Sequence, residues 1–408
     1  MQQTLTNTNT KNIRLWTGTK PPSARTALNP TQRGSTKMNI TKLLKFKKLA
    51  AIMAAGLLSA GAQAQEELRF FNWSDYMAED TIEKFEAETG IKVTADVFDS
   101  NEVLEAKLLA GRSGYDLVVP SSTFMARQII AGAFQPLDKS QLPNMKHLDK
   151  ELLTFLQKND PGNRYGVPYL WGTTGIGYNV EQVKKALGTD APLDSWDLVF
   201  KPENMKKLAE CGVIFLDSAD EIFPLALNYV GQDPNSTKKG DYKTSGDAAK
   251  MLSGIRPYIN QFHSSQYINS LANGDACVAI GWSGDVLQAQ DRASEAENGV
   301  EIEYIIPKEG TSIWFDMLVI PADSKNTENA HKFINFLLRP DIIADISNYV
   351  YYANPNTGAT KIQDQELSNN PGIYPSADVK KRLFAATVRA RKIEKVLTRS
   401  WTNLKTGR

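Results

Sequence analysis

From Gln65 onward the chain alternates between strand and helix patterns, and no other feature constrains the fold as tightly. Leu68–Asn72 suits a strand. "AEDTIEKFEAETG" reads as a short helix, with Asp80 placed to cap its start and Gly90 to stop it. "IKVTADVF" is the next strand, "NEVLEAKLLAG" the next helix and "YDLVVP" a third strand; Ser121 and Ser122 then open a helix over "FMARQIIAGA" that ends near Gly132. A β-α-β-α-β run of this length predicts a parallel sheet covered by helices.

A second module follows "RYGVPYLWGTTGIGYNVEQV". Val213–Leu216, Cys277–Ile280 and Met317–Ile320 read as buried strands, and "NAHKFINFLLRPDIIADISNYV" as a helix pair interrupted at Pro340. No repeat or low-complexity tract separates the modules. Strand-like crossovers near Gly172 and near Ile313 are therefore expected to join two lobes. A chain of 408 residues has room for two such cores.

The first 64 residues differ from the rest. They hold ten of the 47 Lys and Arg residues and none of the 46 Asp and Glu residues, so the remainder carries 37 basic against 46 acidic side chains, a balance of −9. An acidic body disfavours nucleic acid and favours cationic ligands. Within the basic part, "MNITKLLKFKKLAAIMAAGLLSAGAQAQEEL" has the order of a signal peptide over residues 38–64: lysines, an apolar run from Leu49 to Leu58, and Ala62-Gln63-Ala64 before Gln65. The run is shorter than the roughly 20 residues that a membrane-spanning helix needs, so a membrane-embedded chain is not expected. Residues 1–37 read as a polar extension or an over-long gene start, with Met38 the true beginning. Export makes one disulfide the simplest state for Cys211 and Cys277, two buried free thiols being the alternative. His147, His263 and His331 are scattered without ligand spacing, so neither a metal nor a cofactor is expected.

Ligands of open α/β sheets sit at the carboxyl ends of strands. The first strand ends in Trp73-Ser74-Asp75-Tyr76 and the third in Pro120-Ser121-Ser122. "VIFLDSADE" supplies Asp217 through Glu221, "CVAIGWSGD" supplies Trp282 and Asp285, and "SIWFDMLVI" places Trp314 and Asp316 at the other mouth of a strand, beside a crossover. Three tryptophans thus stand two or three residues before an Asp. Aromatic faces attract cations and cover methylenes, and carboxylates pair with ammonium groups. Converging, these segments would suit a flexible aliphatic chain with an amine at each end. Any one pair alone is more often structural: Trp196-Asp197 has the same look but reads as a helix start with a packing Trp. Paired carboxylates would also serve a secreted carbohydrate-active enzyme. "GTTGIG" at residues 172–177 lacks dinucleotide-loop spacing, and Ser121 has no obvious His partner.

Taken together, "NWSDYM", "GYDLVVPSS", "YLWGTTGIGYN", "CVAIGWSGD", "YYANPN", "NPGIYPSADVKKRLF" and "TRSWTNLKTG" resemble the periplasmic polyamine-binding proteins of bacterial ABC importers, especially the putrescine-binding branch. The likeness runs through nearly all of the chain after Gln65. It implies an α/β, type II periplasmic binding protein fold. Two α/β lobes, 65–171 plus 314–350 and 172–313 plus 351–408, would be joined by hinge crossovers and close on the ligand. It further implies a monomer in the periplasm, without a catalytic step, that hands putrescine or spermidine to an inner-membrane ABC permease. The family's ligand positions fall on Trp73, Ser74, Asp75, Tyr76, Ser121, Glu221, Trp282, Asp285, Trp314, Asp316 and Tyr352, and its disulfide on Cys211 and Cys277. One position departs: the putrescine branch usually carries Phe where this chain has Trp314, and spermidine binders favour Trp. Thr123 and Ala386 are also small where relatives differ. A receptor for another small solute is the neighbouring reading.

Overall fold

Two strands, β4 (Gly166–Asn179) and β9 (Ser312–Val319), run antiparallel through the middle of the molecule and organise everything else. The structure is a computed structural model that describes residues 66–407; the expected extension (1–37) and signal peptide (38–64) lie outside the described residues. On one side of this pair lie β1 (Glu67–Trp73), β2 (Lys92–Phe98) and β3 (Leu117–Val118). On the other lie β5 (Val213–Phe215), β6 (Gln261–Phe262) and β7 (Val278–Trp282). The sheet order is β2-β1-β3-β9-β4-β7-β5-β6, with β8 (Ile302–Ile305) on β4 and β10 (Phe384–Ala385) on β9.

The flanks are parallel and the centre is antiparallel. β1 pairs with β2 and β3 in parallel, and β5 with β6 and β7. Parallel neighbours need crossover connections, and helices supply them. On the first flank α1 (Thr81–Thr89) links β1 to β2 and α2 (Asn101–Leu109) links β2 to β3, with α3 (Ser122–Ile130) following β3; on the second, α4 (Ala219–Tyr229) lies between β5 and β6, and α5 (Ser283–Glu295) follows β7. The expected helix pair is present as α6 (Thr327–Leu337) and α7 (Pro340–Val350), with Pro340 in the first turn, where its missing N–H costs nothing. A last helix, α8 (Arg391–Thr406), closes the chain.

Each flank has its own apolar core. The first gathers Leu68, Phe70, Phe85, Leu104, Met125, Phe333 and Ile346; the second gathers Trp196, Phe200, Phe215, Ile222, Ile280, Ile393 and Leu397. β4 passes from one to the other: Val167, Tyr169 and Leu170 pack in the first core, Ile176 and Tyr178 in the second. Tyr352 and Ala359 pack in the first. Trp196 is wholly buried and stacks on Phe200 at 5.1 Å, the packing role its sequence context suggested. Cys211 and Cys277 form a disulfide, with Cα atoms 5.4 Å apart.

Two expectations change. Asp80 stands at the α1 N-cap without a side-chain cap bond; its carboxylate pairs with Lys84 at 3.0 Å instead. The strand read as Met317–Ile320 begins five residues earlier, at Ser312, because its pairing with β4 continues to Ile313 opposite Thr173. Trp314 and Asp316 therefore sit inside a strand, in the crossover itself, rather than at a strand mouth.

Candidate functional site

The strand ends converge as the alternation demands. Trp73, Ser74 and Tyr76 leave β1, Ser121 follows β3, and Glu221 and Asp285 occupy the first turns of α4 and α5, just after β5 and β7. With Trp282, Trp314, Asp316 and Tyr352 they line one cavity of about 420 Å³, open mouth included. Tyr352 reaches it because Tyr351 ends α7 in a left-handed conformation (φ 59°) that turns the chain back.

Asp75 is the exception. It does not line the cavity. Its φ of 52° aims the carboxylate elsewhere, onto the Arg292 guanidinium at 2.7 Å, and its backbone carbonyl accepts from Gln288 Nε2 at 3.3 Å. Asp217 and Asp220 also point away. Asp217 takes Lys405 Nζ at 2.7 Å and Trp401 Nε1 at 3.1 Å, and Asp220 pairs with Arg389. Two lining residues escaped the sequence reading. Asn101 opens α2 after β2, so the strand-end rule could have found it. Ser264 follows β6, a strand of two residues that leaves no readable pattern.

Aromatic rings form the walls. Trp73 and Trp282 meet edge-to-face at 5.5 Å, Trp314 and Tyr352 at 5.4 Å, and Tyr76 and Tyr352 at 5.0 Å. Trp73 is pinned by its Nε1, which donates to the Val119 carbonyl at 2.8 Å. Two glycines make room for the rings. A Cβ at Gly284 would lie 2.5 Å from the Tyr352 ring, and one at Gly172 would lie 2.8 Å from Trp314 Cζ2. The glycine of "WSGD" is thus dictated by the approach of Tyr352.

Three carboxylates face this space, each held by hydroxyl donors. Asp316 accepts from Tyr76 at 2.8 Å; Asp285 accepts from Tyr352 at 2.6 Å and from Tyr267 at 2.8 Å; Glu221 accepts from Thr174 at 2.7 Å. Burial pushes Asp285 and Glu221 up to about 7 against the partial relief of these hydroxyls, with the Asp75 charge adding to the first and the Glu102 charge to the second. Asp316 stands well above the carboxylate range, chiefly from burial, with the Glu221 charge adding. Among the described residues no Lys, Arg or His lines the cavity. Buried carboxylates without a basic partner are costly in their charged form, and a cation entering among them would relieve that cost. The rings suit the hydrocarbon between two such cations.

Residues 80–375 match the model of the family described as bacterial extracellular solute-binding protein. The chain is 56% identical over 369 residues to the putrescine-binding periplasmic protein PotF of Escherichia coli K12, covering 90% of this chain and 99% of that one. It is 54% identical over 364 residues to the putrescine-binding periplasmic protein SpuD of Pseudomonas aeruginosa, covering 89% and 98%. Among solved structures, a putative spermidine/putrescine ABC transporter protein from Listeria monocytogenes superposes with a TM-score of 0.74 at 34% identity, covering 84% of this chain and all of that one.

Proposed function

The chain belongs to the family of bacterial extracellular solute-binding proteins, and we propose that its cavity captures a polyamine, putrescine or spermidine, by closure of two lobes around it. Its fold is the type II periplasmic binding protein fold, and as a solute-binding protein it is a receptor rather than an enzyme. The observation that carries the ligand reading is a set of three buried carboxylates among aromatic rings with no basic side chain, among the described residues, in the lining. A diammonium chain supplies the missing positive charge at two points and fills the apolar space between them. The relatives' names, putrescine-binding in both curated cases, support the same ligand class.

Asp285 and Asp316 anchor the ammonium groups in this reading, Glu221 attracts a further amine, and Trp314 covers the methylenes. Ser74, Ser121, Asn101 and Ser264 complete the polar rim. Asp75 holds Arg292 at the mouth rather than touching ligand. We divide the lobes along the two apolar cores, with Tyr352 and Ala359, which pack in the first core, assigned to the first lobe. We place the protein in the periplasm as a monomer serving an ABC permease. Among the described residues no helix is long and apolar enough to cross a membrane.

Calorimetric titration of protein stripped of ligand by unfolding and refolding tests the reading. One polyamine per chain should bind and be recovered unchanged. Saturable binding of an uncharged sugar or an amino acid, with no response to either polyamine, would overturn it.

A further inference from the structure

Beside the ligand cavity, on the side of Ser218, a charged cluster joins the two cores. Arg127 on α3 belongs to the first core's flank through Met125; Asp220 on α4 and Glu394 on α8 belong to the second through Ile222, Ile393 and Leu397. The Arg127 guanidinium grips both oxygens of Glu105 on its own side, Nε at 2.6 Å and Nη2 at 2.8 Å. Its remaining Nη1 faces across, 3.8 Å from Glu394 Oε1 and 4.0 Å from Asp220 Oδ2. Behind these acids lies Arg389, its side chain only 3% exposed, which bonds Asp220 and, at 3.0 Å, Glu394. Two neutral contacts run parallel: Ser218 Oγ donates to Glu102 at 3.1 Å, and Thr123 Oγ1 donates to the Ala386 carbonyl at 3.1 Å. Arg127, Asp220, Arg389 and Glu394 do not line the ligand cavity.

We infer that Arg127 is a positioning residue: with Asp220 and Glu394, held in place by Arg389, it fastens the closed lobes beside the cavity, so that ligand retention depends on an ion cluster the ligand never touches. This rests on reading the cavity as a ligand site between closing lobes. The arrangement suits a reversible fastening because no charge is stranded when it opens. Arg127 keeps Glu105, and Asp220 and Glu394 keep Arg389, so opening avoids the penalty of an unpaired buried charge. The Arg127, Asp220 and Glu394 side chains are 15 to 25% exposed, which leaves the crossing pairs less screened than fully exposed ones. Apparent affinity scales with the fraction of molecules able to close, so weakening the cluster weakens binding without altering a ligand contact.

The test compares wild type, Arg127→Gln, Asp220→Asn, the double variant and Arg127→Lys by stopped-flow polyamine release and by melting without ligand. Each neutral variant should weaken binding roughly tenfold, the effect of a modest charge-pair coupling, mostly through faster release. The double variant should lose no more than the worse single one, Arg127→Lys should recover most of the loss, and ligand-free melting of Arg127→Gln at high salt, where the crossing pairs are screened, should match wild type. Wild-type release from Arg127→Gln at low salt, additive losses in the double variant, or equal destabilisation of the ligand-free chain at high salt would each overturn the inference. A wild type that binds neither polyamine would sink the ligand reading instead. Scattering of the ligand-free chain then decides: wild type should expand from low to high salt and Arg127→Gln should not, and equal responses would overturn the fastening.

Discussion

Polyamine capture should release protons, and its affinity should climb steeply between pH 6 and pH 8. Asp285 and Glu221 are each pushed to about 7 by burial, whereas alkylammonium groups, near 10 like lysine, stay charged throughout this range. Each carboxyl must be ionised to hold a cation. At pH 6 a group with a pKa of about 7 is ionised in about one molecule in eleven, so recruiting it costs about 1.4 kcal/mol; at pH 8 the cost is nearly nil. If both groups meet the ligand, Kd should tighten roughly a hundredfold over those two pH units, and if only one does, roughly tenfold. The same shifts act on stability with a definite sign. Between about pH 4 and pH 7 the ligand-free native state holds protons that the unfolded chain has already lost. Ligand-free stability should therefore fall as pH rises through that window and level off above it, while saturation with polyamine removes the fall. Titration calorimetry at pH 6, 7 and 8, each in two buffers of different ionisation enthalpy, measures both Kd and the protons released. Equal Kd at pH 6 and 8 with no buffer-dependent heat would refute the argument.

Three further outcomes follow from the geometry. Asp316→Ala removes an ammonium partner and leaves Tyr76 without its acceptor; it should weaken binding by about 2–5 kcal/mol, read by titration. Trp314→Phe keeps an aromatic wall but shortens it, so the putrescine-to-spermidine affinity ratio should move more than either affinity alone; an unchanged ratio would shift attention to Thr123 and Ala386, which touch through a hydrogen bond. Reducing Cys211–Cys277, which closes a loop of 66 positions, should cost up to about 4 kcal/mol of stability, seen as a lower melting temperature in the presence of reductant.

Much of this was legible because strand and helix periods are local properties. The residues that follow a strand in a β-α alternation must gather at one sheet edge, whatever the side chains are. That rule alone brought Trp73, Tyr76, Ser121, Glu221, Trp282 and Asp285 to one cavity. It also reached Trp314 and Asp316, although for a different reason from the one expected. They lie inside β9, opposite β4, and meet the cavity because the crossover runs past it. Ser264 stayed hidden because a strand as short as β6 has no period to read.

What the sequence by itself determined was the alternation, the crossovers and the supply of aromatic and acidic side chains at the strand ends. The tertiary structure decided which acids face inward. Asp75, Asp217 and Asp220 sit in the same sequence contexts as Asp285 and Glu221. Yet each is drawn off by a cation far along the chain: Arg292 for Asp75, Lys405 for Asp217 and Arg389 for Asp220. The acids left unpaired, Glu221, Asp285 and Asp316, are those whose nearest partners are hydroxyls. Their raised pKa values come from burial, which belongs to the assembled cleft and to no single segment. A carboxylate's charge is written in the sequence; whether that charge is already neutralised depends on neighbours hundreds of residues away, and only the folded chain brings them within reach.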